Sequence, residues 1–335
     1  MTWGASSPLS ATELRDFGMT SAPTVSVVTI TYNHEAFIRD TLDGFVSQRV
    51  DFPVEYIIAD DASTDGTAEI IQSYADSHPE LIRPILRGKN VGIHANLTDA
   101  MSSARGRYLA LCEGDDYWTD PEKLTKQVDY LDAHPEASVC FHPVRVSWVD
   151  GSTADSEFPP ANWRRDLSIN TLLYRNFIQT NSVMYRRLST YDDVPQDIMP
   201  LDWYIHVRHA MQGKVAMLPD TMGVYRRHPQ GVWYSADTDR ERFWRKHGRG
   251  QAALLQALLG LGIGSRTSRL RVYGTAHWLL GQLASVPDEP GRDMILDTVT
   301  HFPRLYRASW VQRPLIAAVL VYQKLGVAKR RFARS

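Results

Sequence analysis

Val25-Ser26-Val27-Val28-Thr29-Ile30-Thr31 is the stretch that decides the fold. Six of its seven residues are β-branched, and Pro23 and Asn33 bound it, which is typical of a buried strand. Apolar residues follow at helical spacing from Phe37 to Val46, so a helix is expected to pack behind this strand. The chain therefore begins its ordered part with a strand–helix unit.

The same alternation continues along the chain. Further strands are predicted at 54–59, 82–86 and 108–112, and further helices at 67–75 and 93–104. Strand and helix thus alternate through about ninety residues, which indicates a parallel sheet with crossover helices.

Polar clusters follow three of the predicted strands, directly after the last apolar residue of each. They are Tyr32-Asn33, Asp60-Asp61 and Glu113-Gly114-Asp115-Asp116. Because ligands of such sheets bind beyond the carboxyl ends of the strands, we expect the three clusters to meet at one edge.

The third cluster places three carboxylates within four positions. Their mutual repulsion raises their pKa values unless a cation intervenes, and oxygen-rich sites of this kind suit Mg²⁺ or Mn²⁺. The alternative is a solvated acidic turn before the helix that Pro121 begins. Asp60 and Asp61 could accept hydrogen bonds from a nucleotide's base or ribose. Tyr32 could stack on a base or be an ordinary surface aromatic.

The second half of the chain has a different pattern. A helix is predicted from Asp120 to about Asp132, strands at 138–148, 177–185 and 215–225, a helix at 201–212, and a polar loop at 150–166. Helices predominate after about residue 237. The predicted organisation is an arm at 1–22, a first half of the main domain at 23–118, a second half at 119–236, and a helical C-terminal region at 237–335.

Composition narrows the classes of partner. Among 335 residues, 37 Lys and Arg balance 38 Asp and Glu, so no overall basic field favours nucleic acid. Two cysteines, Cys112 and Cys140, lie in apolar stretches and are expected to be buried free thiols. The N-terminus has no signal-peptide core, which predicts a cytoplasmic protein.

The last segment carries a separate expectation. Residues 301–335 contain eight Lys and Arg and no Asp or Glu, beside an apolar face. Such a tail could lie on an anionic membrane, giving a peripheral location on the inner face of the plasma membrane, or could pack on the domain. The helices between 240 and 300 could cover the sheet domain or form a homodimer contact.

The motifs taken together resemble the family 2 glycosyltransferases of GT-A fold. The resemblance rests on residues 25–33, Asp60 to Thr67, Asn90-Val91-Gly92 and the acidic cluster. The segments Leu201-Asp202-Trp203 and Gly223 to His228, with Gly231-Val232-Trp233, resemble one bacterial, non-processive subgroup. The fold implied is α/β, with a Rossmann-like, mostly parallel central sheet flanked by helices, and a helical C-terminal region. The resemblance implies that the half at 23–118 binds the nucleotide sugar and that the half at 119–236 binds the acceptor and carries the catalytic base.

The resemblance implies a UDP- or dTDP-sugar donor, a hydroxyl acceptor and Mn²⁺ or Mg²⁺. Tyr32 and Asp61 would contact the base. Glu113 and Asp115 would play the two acidic parts of the D-x-D motif, with Asp116 as a third candidate. The remaining donor-site residues implied are Thr31, Asn33, Asp60, Asn90, Gly92, Gly114, Arg226 and Arg227.

Two residues outside the first half complete the implied site. Asp202 matches the general base, although its position after Pro200 also suits a helix N-cap. His228 matches a position that often completes the metal site, beside Asp115 and Asp116.

The implied reaction is the inverting transfer of one sugar. The Gln-x-x-Arg-Trp motif of processive synthases is absent, which favours a single transfer to a glycan, a lipid-linked glycan or a small molecule, in cell-surface polysaccharide or related glycoconjugate synthesis. The competing hypotheses are a nucleotidyltransferase and a non-catalytic nucleotide-sugar-binding module. Against the first, the segment 31–37 lacks a Gly-rich basic loop.

Overall fold

The computed structural model describes residues 22–164, 167–263, 265–286 and 288–306. The strands are β1 Val25–Thr31, β2 Val54–Asp60, β3 Ile82–Leu86, β4 Tyr108–Leu111, β5 Tyr117–Trp118, β6 Ala137–Phe141, β7 Val144–Trp148, β8 Ser156–Phe158, β9 Met184–Arg186, β10 Lys214–Met217 and β11 Gly223–Arg227. The helices are α1 Ile38–Val46, α2 Thr67–Ser77, α3 Ile93–Ser102, α4 Lys123–Ala133, α5 Ile169–Leu172, α6 Leu201–Ala210, α7 Tyr234–Thr238, α8 Arg240–Gly260, α9 Arg266–Ala284, α10 Asp288–His301 and α11 Pro303–Tyr306.

A seven-stranded sheet with the order β10-β6-β9-β4-β1-β2-β3 forms the centre of the fold. β1 pairs in parallel with both β2 and β4, and β2 pairs in parallel with β3. β10 and β6 are also parallel, whereas β9 runs antiparallel to β4 and β6. Every residue of β1 is buried, as expected for a β-branched strand covered by helices on both faces. The predicted α/β fold with a mostly parallel sheet is confirmed.

A smaller sheet with the order β5-β11-β7-β8 corrects two predicted strands. The single strand expected at 138–148 is wrong, because the chain leaves the large sheet after Phe141 and enters the small one at Val144. Pro143 lies at this break, where it has no N–H to give to a ladder. The strand expected at 215–225 likewise divides into β10 and β11.

Two other predictions need correction. Of the expected strand 177–185 only Met184 and Tyr185 belong to a strand, β9, and a short 3₁₀ turn at Thr180–Ser182 precedes it. The expected loop at 150–166 contains the edge strand β8. Cys112 and Cys140 are free and buried, as the sequence predicted.

Helix α1 packs through its aromatic residue. The Phe45 ring stacks on Tyr56 of β2 at 5.0 Å between centroids and lies 4.7 Å from the Trp118 ring. The Tyr56 hydroxyl, buried among these rings, donates to the Phe45 carbonyl oxygen at 2.9 Å. Its polar atom is thereby satisfied inside the core, so the ring can be fully buried.

Contacts between residues group the chain into two units. Among the described residues, the first contains the large sheet and comprises those from 22 to 167, with 177–194 and 209–226; the second comprises 168–176, 195–208 and those from 227 to 306. In the second unit α8 and α9 pack through buried leucines, and Gly262, at φ 72°, lies in the turn between them. The helical C-terminal region is thus confirmed, while the boundaries at 118/119 and 236/237 stay predictions.

Two predicted segments lie outside the described residues: the arm at 1–22, except its last residue, and the tail beyond 306. Among the residues that are described, no helix combines the length and the apolar character needed to span a bilayer.

Candidate active site

The carboxyl ends of β1, β2 and β4 bring the three polar clusters to one edge of the sheet. In the parallel pairing Thr31 lies opposite Asp60, and the Asp61 N–H donates to the Thr31 carbonyl oxygen at 3.0 Å. On the other side of β1, the Gly114 N–H donates to the carbonyl oxygen of Ile30, also at 3.0 Å. These bonds extend the strand pairing into the loops, and so fix the loops relative to one another.

Asn33 and Asp60 connect the loop after β1 to the loop after β2. The Asn33 N–H donates to the Ser63 hydroxyl, and the Asn33 side-chain oxygen accepts from the Thr64 N–H, each at 2.8 Å. Asp60 is buried, and its carboxylate accepts from both the N–H and the hydroxyl of Ser63. Asn33, at φ 57°, has the left-handed conformation that asparagine adopts more readily than most residues.

Tyr32 lies at the same edge of the sheet, and 45% of its surface is exposed. Its ring is therefore available for stacking.

Asp61 fastens a third loop, the one that follows β3. Its two carboxylate oxygens accept from the N–H groups of Val91 and Gly92, at 2.7 and 2.9 Å. The Asn90 side-chain amide donates to the Asp61 carbonyl oxygen at 3.1 Å. Gly92 has φ 86°, a conformation that a residue with a side chain rarely adopts. Asp61, Asn90 and Gly92, which the sequence proposed separately, thus form one cluster.

The acidic loop, Glu113 to Asp116, follows β4 and brings three carboxylates together. Oxygen atoms of Glu113, Asp115 and Asp116 lie within 4.8 Å of one another. Asp116 is fully buried; its Oδ1 accepts from the Arg226 N–H at 2.9 Å, and its Oδ2 has no partner among the described residues. Burial raises the pKa of Asp116 well above its ordinary value, and the charges of Asp115 and Glu113 raise it further, while Arg226 opposes them.

A divalent cation fits these residues. The donor set consists of hard carboxylate oxygens, the type that Mg²⁺ and Mn²⁺ prefer, and one buried oxygen, Asp116 Oδ2, lacks a hydrogen bond among the described residues. A positive charge there would offset both the burial and the mutual repulsion. The solvated-turn alternative does not account for a carboxylate with no exposure.

The acidic loop is held from helix α1 and from β1. The Thr41 hydroxyl lies 3.1 Å from the Gly114 carbonyl oxygen and 2.6 Å from the Asp116 carbonyl oxygen. The hydroxyl is the donor, and the two carbonyl oxygens are the acceptors. Gly114 packs against Thr31 so closely that an added Cβ would lie 2.7 Å from the Thr31 side chain. Sequence reasoning misses Thr41, because the apolar spacing that predicts α1 does not single out a polar residue.

Arg226 clamps the acidic loop from strand β11. Besides its N–H bond to Asp116, its Nη1 donates to the Asp115 carbonyl oxygen at 3.0 Å, and its Nη2 pairs with Asp40 of α1. The guanidinium also lies over the Tyr117 ring, 4.3 Å from its centroid. The sequence implied a diphosphate contact for Arg226; in the structure this guanidinium is engaged within the protein.

His34 is a further neighbour that the sequence did not single out. Its Nε2 lies 3.8 Å from a carboxylate oxygen of Asp115, and its N–H donates to the Thr67 hydroxyl at 2.9 Å. The only signal in the sequence was its position next to Asn33.

The second unit carries Asp202, Arg227 and His228. Asp202 lies in the first turn of α6, inside the helix and not at an N-cap position before it. The Asn176 amide donates to Asp202 Oδ2 at 3.1 Å, and His206 Nε2 lies 3.6 Å from the same oxygen. Arg227 Nη1 donates to the Trp233 carbonyl oxygen at 2.8 Å, and Nδ1 of the buried His228 lies 3.0 Å from Gln230 Oε1.

Relatives in sequence match either most of the chain or a part of it. An uncharacterized protein of Mycobacterium tuberculosis is 57% identical over 294 residues, which cover 87% of this chain and 85% of the relative. EpsE of Bacillus subtilis, which carries the name of a glycosyltransferase, is 38% identical over 116 residues, 35% of this chain and 41% of that protein.

Solved structures share the fold. TarS of S. aureus, residues 1–349 in complex with UDP-GlcNAc, has a TM-score of 0.61 at 18% identity, covering 92% of each chain. The mannosyltransferase PcManGT of Pyrobaculum calidifontis, in complex with GDP-Man and Mn²⁺, has a TM-score of 0.57 at 20% identity, covering 91% of this chain and 88% of that one. These similarities show the GT-A fold.

The family model described as Glycosyl transferase family 2 matches residues 26–229, a range that runs from β1 past the acidic loop and Asp202 to His228. The chain therefore belongs to glycosyltransferase family 2, as its resemblance implied.

Proposed function

We propose that this glycosyltransferase is a metal-dependent, inverting enzyme that moves one sugar from a UDP- or dTDP-sugar to a hydroxyl acceptor. The observation that carries the proposal is the acidic loop, in which the buried Asp116 lies beside Asp115 and Glu113 at the carboxyl edge of the sheet. A loop of this composition is a poor structural turn and a good cation site.

Asp115 and Asp116, together with Glu113, would hold Mn²⁺ or Mg²⁺. Bound there, the cation would neutralise the charge that develops on the diphosphate leaving group. His228 of the second unit remains a candidate further ligand. The complex of PcManGT with GDP-Man and Mn²⁺ supports this choice of ions.

The nucleotide would lie along the loops after β1 and β2. The exposed Tyr32 ring is suited to stacking on the base, and Asp61 holds the Asn90–Gly92 loop that would border it. Asp60 and Asn33 would act indirectly, by ordering the Ser63 turn. Arg227 remains a candidate partner of the diphosphate. The complex of TarS with UDP-GlcNAc supports a nucleotide-sugar donor.

Asp202 would act as the general base. Its carboxylate would accept the proton of the acceptor hydroxyl as that oxygen attacks the anomeric carbon from the face opposite the leaving diphosphate, and this in-line geometry inverts the configuration. The Asn176 amide, which donates to Oδ2, would hold the carboxylate in one orientation.

The acceptor is proposed to be a glycan, a lipid-linked glycan or a small molecule of a cell-surface polysaccharide pathway. The names of two Bacillus subtilis relatives, EpsE and the teichuronic acid biosynthesis protein TuaG, support the glycoconjugate context. The proposal places the enzyme in the cytoplasm, where nucleotide sugars are made. The peripheral membrane location and the homodimer stay predictions from the sequence.

The test is a panel of UDP- and dTDP-sugars incubated with the purified chain, with and without Mn²⁺. Release of the nucleoside diphosphate and stabilisation against heat are measured. We expect Asp115→Asn to lose metal-dependent donor binding, and Asp202→Asn to bind the donor normally but lose turnover by about 10²-fold or more. Asp129→Asn, at an exposed position of α4, is the matched control and should behave like the wild type.

Two outcomes would contradict the proposal. Release of pyrophosphate from a nucleotide would indicate a nucleotidyltransferase. Donor binding that is indifferent to both Mn²⁺ and Asp115→Asn would exclude the metal role of the acidic loop.

A further inference from the structure

We propose that one face of helix α9 docks on an anionic membrane surface. This basic aromatic face consists of Arg266, Leu270, Arg271 and Trp278 of α9 and of the adjoining Tyr174 and Arg175, which follow α5; all are in the second unit. The inference goes beyond the proposed function and does not depend on it. It concerns a surface distinct from the basic tail, which lies outside the described residues.

Three large apolar side chains of this face are exposed. Leu270 is 59% exposed, Trp278 is 46% exposed, and Tyr174 is 38% exposed. Leu270, Gly274 and Trp278 follow one another at intervals of four residues, so they form a single stripe along the helix. The Tyr174 ring lies beside Gly274, 3.8 Å from where a Cβ would stand, and so widens the stripe.

The opposite side of α9 is fixed in the core of its unit. Val272, Ala276, Leu279 and Leu283 are buried there, and the Thr275 hydroxyl donates to the Tyr174 carbonyl oxygen at 3.0 Å. The exposed stripe therefore belongs to a helix that is already packed, and it does not need to refold in order to bind.

Arginines border the apolar stripe. The guanidinium carbons of Arg175 and Arg271 lie 5.4 and 5.9 Å from the centroid of the Tyr174 ring, and Arg266 is one turn before Leu270. Neither Arg266 nor Arg271 forms an ion pair within the part of the chain that the structure describes. Between Glu241 and Asp288 the sequence has 46 residues with seven Lys and Arg and no acidic residue. The positive charge of this face is therefore local, in a chain whose net charge is −1.

An anionic lipid surface matches this combination. Trp and Tyr rings favour the level of the lipid headgroups, a leucine at the end of the stripe can enter the acyl boundary, and arginines attract anionic headgroups. A nucleic acid would use the charge but would leave Leu270 in water. Membrane contact uses both features of the face at once.

The experiment measures binding of the full chain to vesicles of phosphatidylcholine alone and of phosphatidylcholine with roughly 30% phosphatidylglycerol. Wild type is compared with Arg266→Gln/Arg271→Gln and with Leu270→Gln/Trp278→Gln. The matched controls are Arg245→Gln/Lys246→Gln, at exposed positions of α8, and Leu296→Gln, at an exposed leucine of α10. Circular dichroism and thermal melting show that each variant is folded.

We expect wild type to prefer the anionic vesicles. The arginine pair should weaken that binding by about 25-fold, roughly fivefold for each charge, and the apolar pair by about tenfold. Both controls should bind like the wild type. Lipids brominated in the acyl chain should quench Trp fluorescence of the wild type more than that of Leu270→Gln/Trp278→Gln.

Several results would overturn the proposal. Wild-type binding that both face variants retain would assign vesicle binding to another segment, such as the basic tail. An equal loss of vesicle binding in the Arg245→Gln/Lys246→Gln control would show that binding depends on the overall charge and not on this face. Absence of vesicle binding by the wild type would contradict the proposal. If a second copy of the chain or an oligonucleotide then binds the face, that partner is its occupant.

Discussion

Gly114 is the point at which the acidic loop tolerates no side chain. A Cβ there would lie 2.7 Å from both Cβ and Oγ1 of Thr31, and 3.1 Å from Ile38 Cδ1. Thr31 is a short side chain within a buried strand and has little room to move. The close approach of the loop to the strand fixes the position of Gly114, and with it the backbone of its chain neighbours Glu113 and Asp115.

We expect Gly114→Ala to displace the acidic loop and to lower the free energy of unfolding by about 1–3 kcal/mol, because the added methyl group overpacks the site. Mn²⁺ binding should weaken with it. Urea denaturation and titration with Mn²⁺ followed by electron paramagnetic resonance measure the two effects. Gly88→Ala is the control, since nothing lies within 4 Å of its Cβ position. Unchanged Mn²⁺ affinity in Gly114→Ala would contradict the argument.

Arg226 holds the acidic loop through a geometry that lysine cannot reproduce. Its planar guanidinium bonds Asp115 and Asp40 at once while it stacks on Tyr117, whereas an ammonium is a point charge. We expect Arg226→Lys to weaken Mn²⁺ binding by about tenfold or more, the typical effect of removing a residue that orients metal ligands. Calorimetric titration measures it. A lysine variant that binds Mn²⁺ normally but binds the donor poorly would instead support the diphosphate role implied by the sequence.

Helix α4 begins with a lysine that has no exposure. Lys123 Nζ donates to Gln127 Oε1 at 2.7 Å and lies 4.0 Å from the centroid of the Trp118 ring. Burial lowers the pKa of Lys123 to about 7. The nearby thiol of Cys140 offers no counter-charge, because burial raises the pKa of that thiol to about 12.

The free energy of unfolding should therefore decrease as the pH falls from about 10 to about 7. The native amine is neutral above about pH 7, whereas the unfolded lysine stays protonated up to its ordinary value near 10.5. The penalty for burying Lys123 is greatest below pH 7 and fades by about 1.4 kcal/mol per pH unit as the pH rises towards 10.

Replacing Lys123 by methionine tests the direction of this pH dependence of stability. We expect Lys123→Met to be more stable than the wild type at pH 7 and to lose that advantage as the pH rises to about 9.5. Urea denaturation across this range measures the difference, and Lys89→Met, at an exposed position, is the control. Parallel curves for wild type and Lys123→Met would contradict the shifted pKa.

At the scale of the whole molecule, the cation and the donor should bind as a linked pair. The three carboxylates repel one another, and a diphosphate would add negative charge at the same edge. We expect a UDP- or dTDP-sugar at about 100 times its dissociation constant to raise the free energy of unfolding by about 2.7 kcal/mol in the presence of Mn²⁺. Chelation with EDTA should abolish most of this gain. Equal protection by the donor with and without the metal would contradict the linkage.

Much of the first half could be predicted because its signals are local. The β-branched run of β1 and the polar residues after β1, β2 and β4 are contiguous in sequence, and parallel pairing then brings their carboxyl ends together. Two of the errors arose where the chain leaves one sheet and enters another, as at Pro143, since an apolar run has the same pattern in either sheet. The support of the site by Thr41 and Arg226 was also missed, because those residues are 73 and 110 positions from Gly114 and Asp116, their respective partners.

The sequence by itself determined the strand–helix alternation, the family and the residue types of the acidic loop, because periodicity and motifs depend on near neighbours along the chain. Only the tertiary structure decided that Asp116 is wholly buried, that Asp61 holds the Val91–Gly92 loop, and that Arg226 grips the loop of Asp115. Burial and hydrogen bonding are set by segments that meet in space after the chain has folded, and no local pattern encodes which segments those will be.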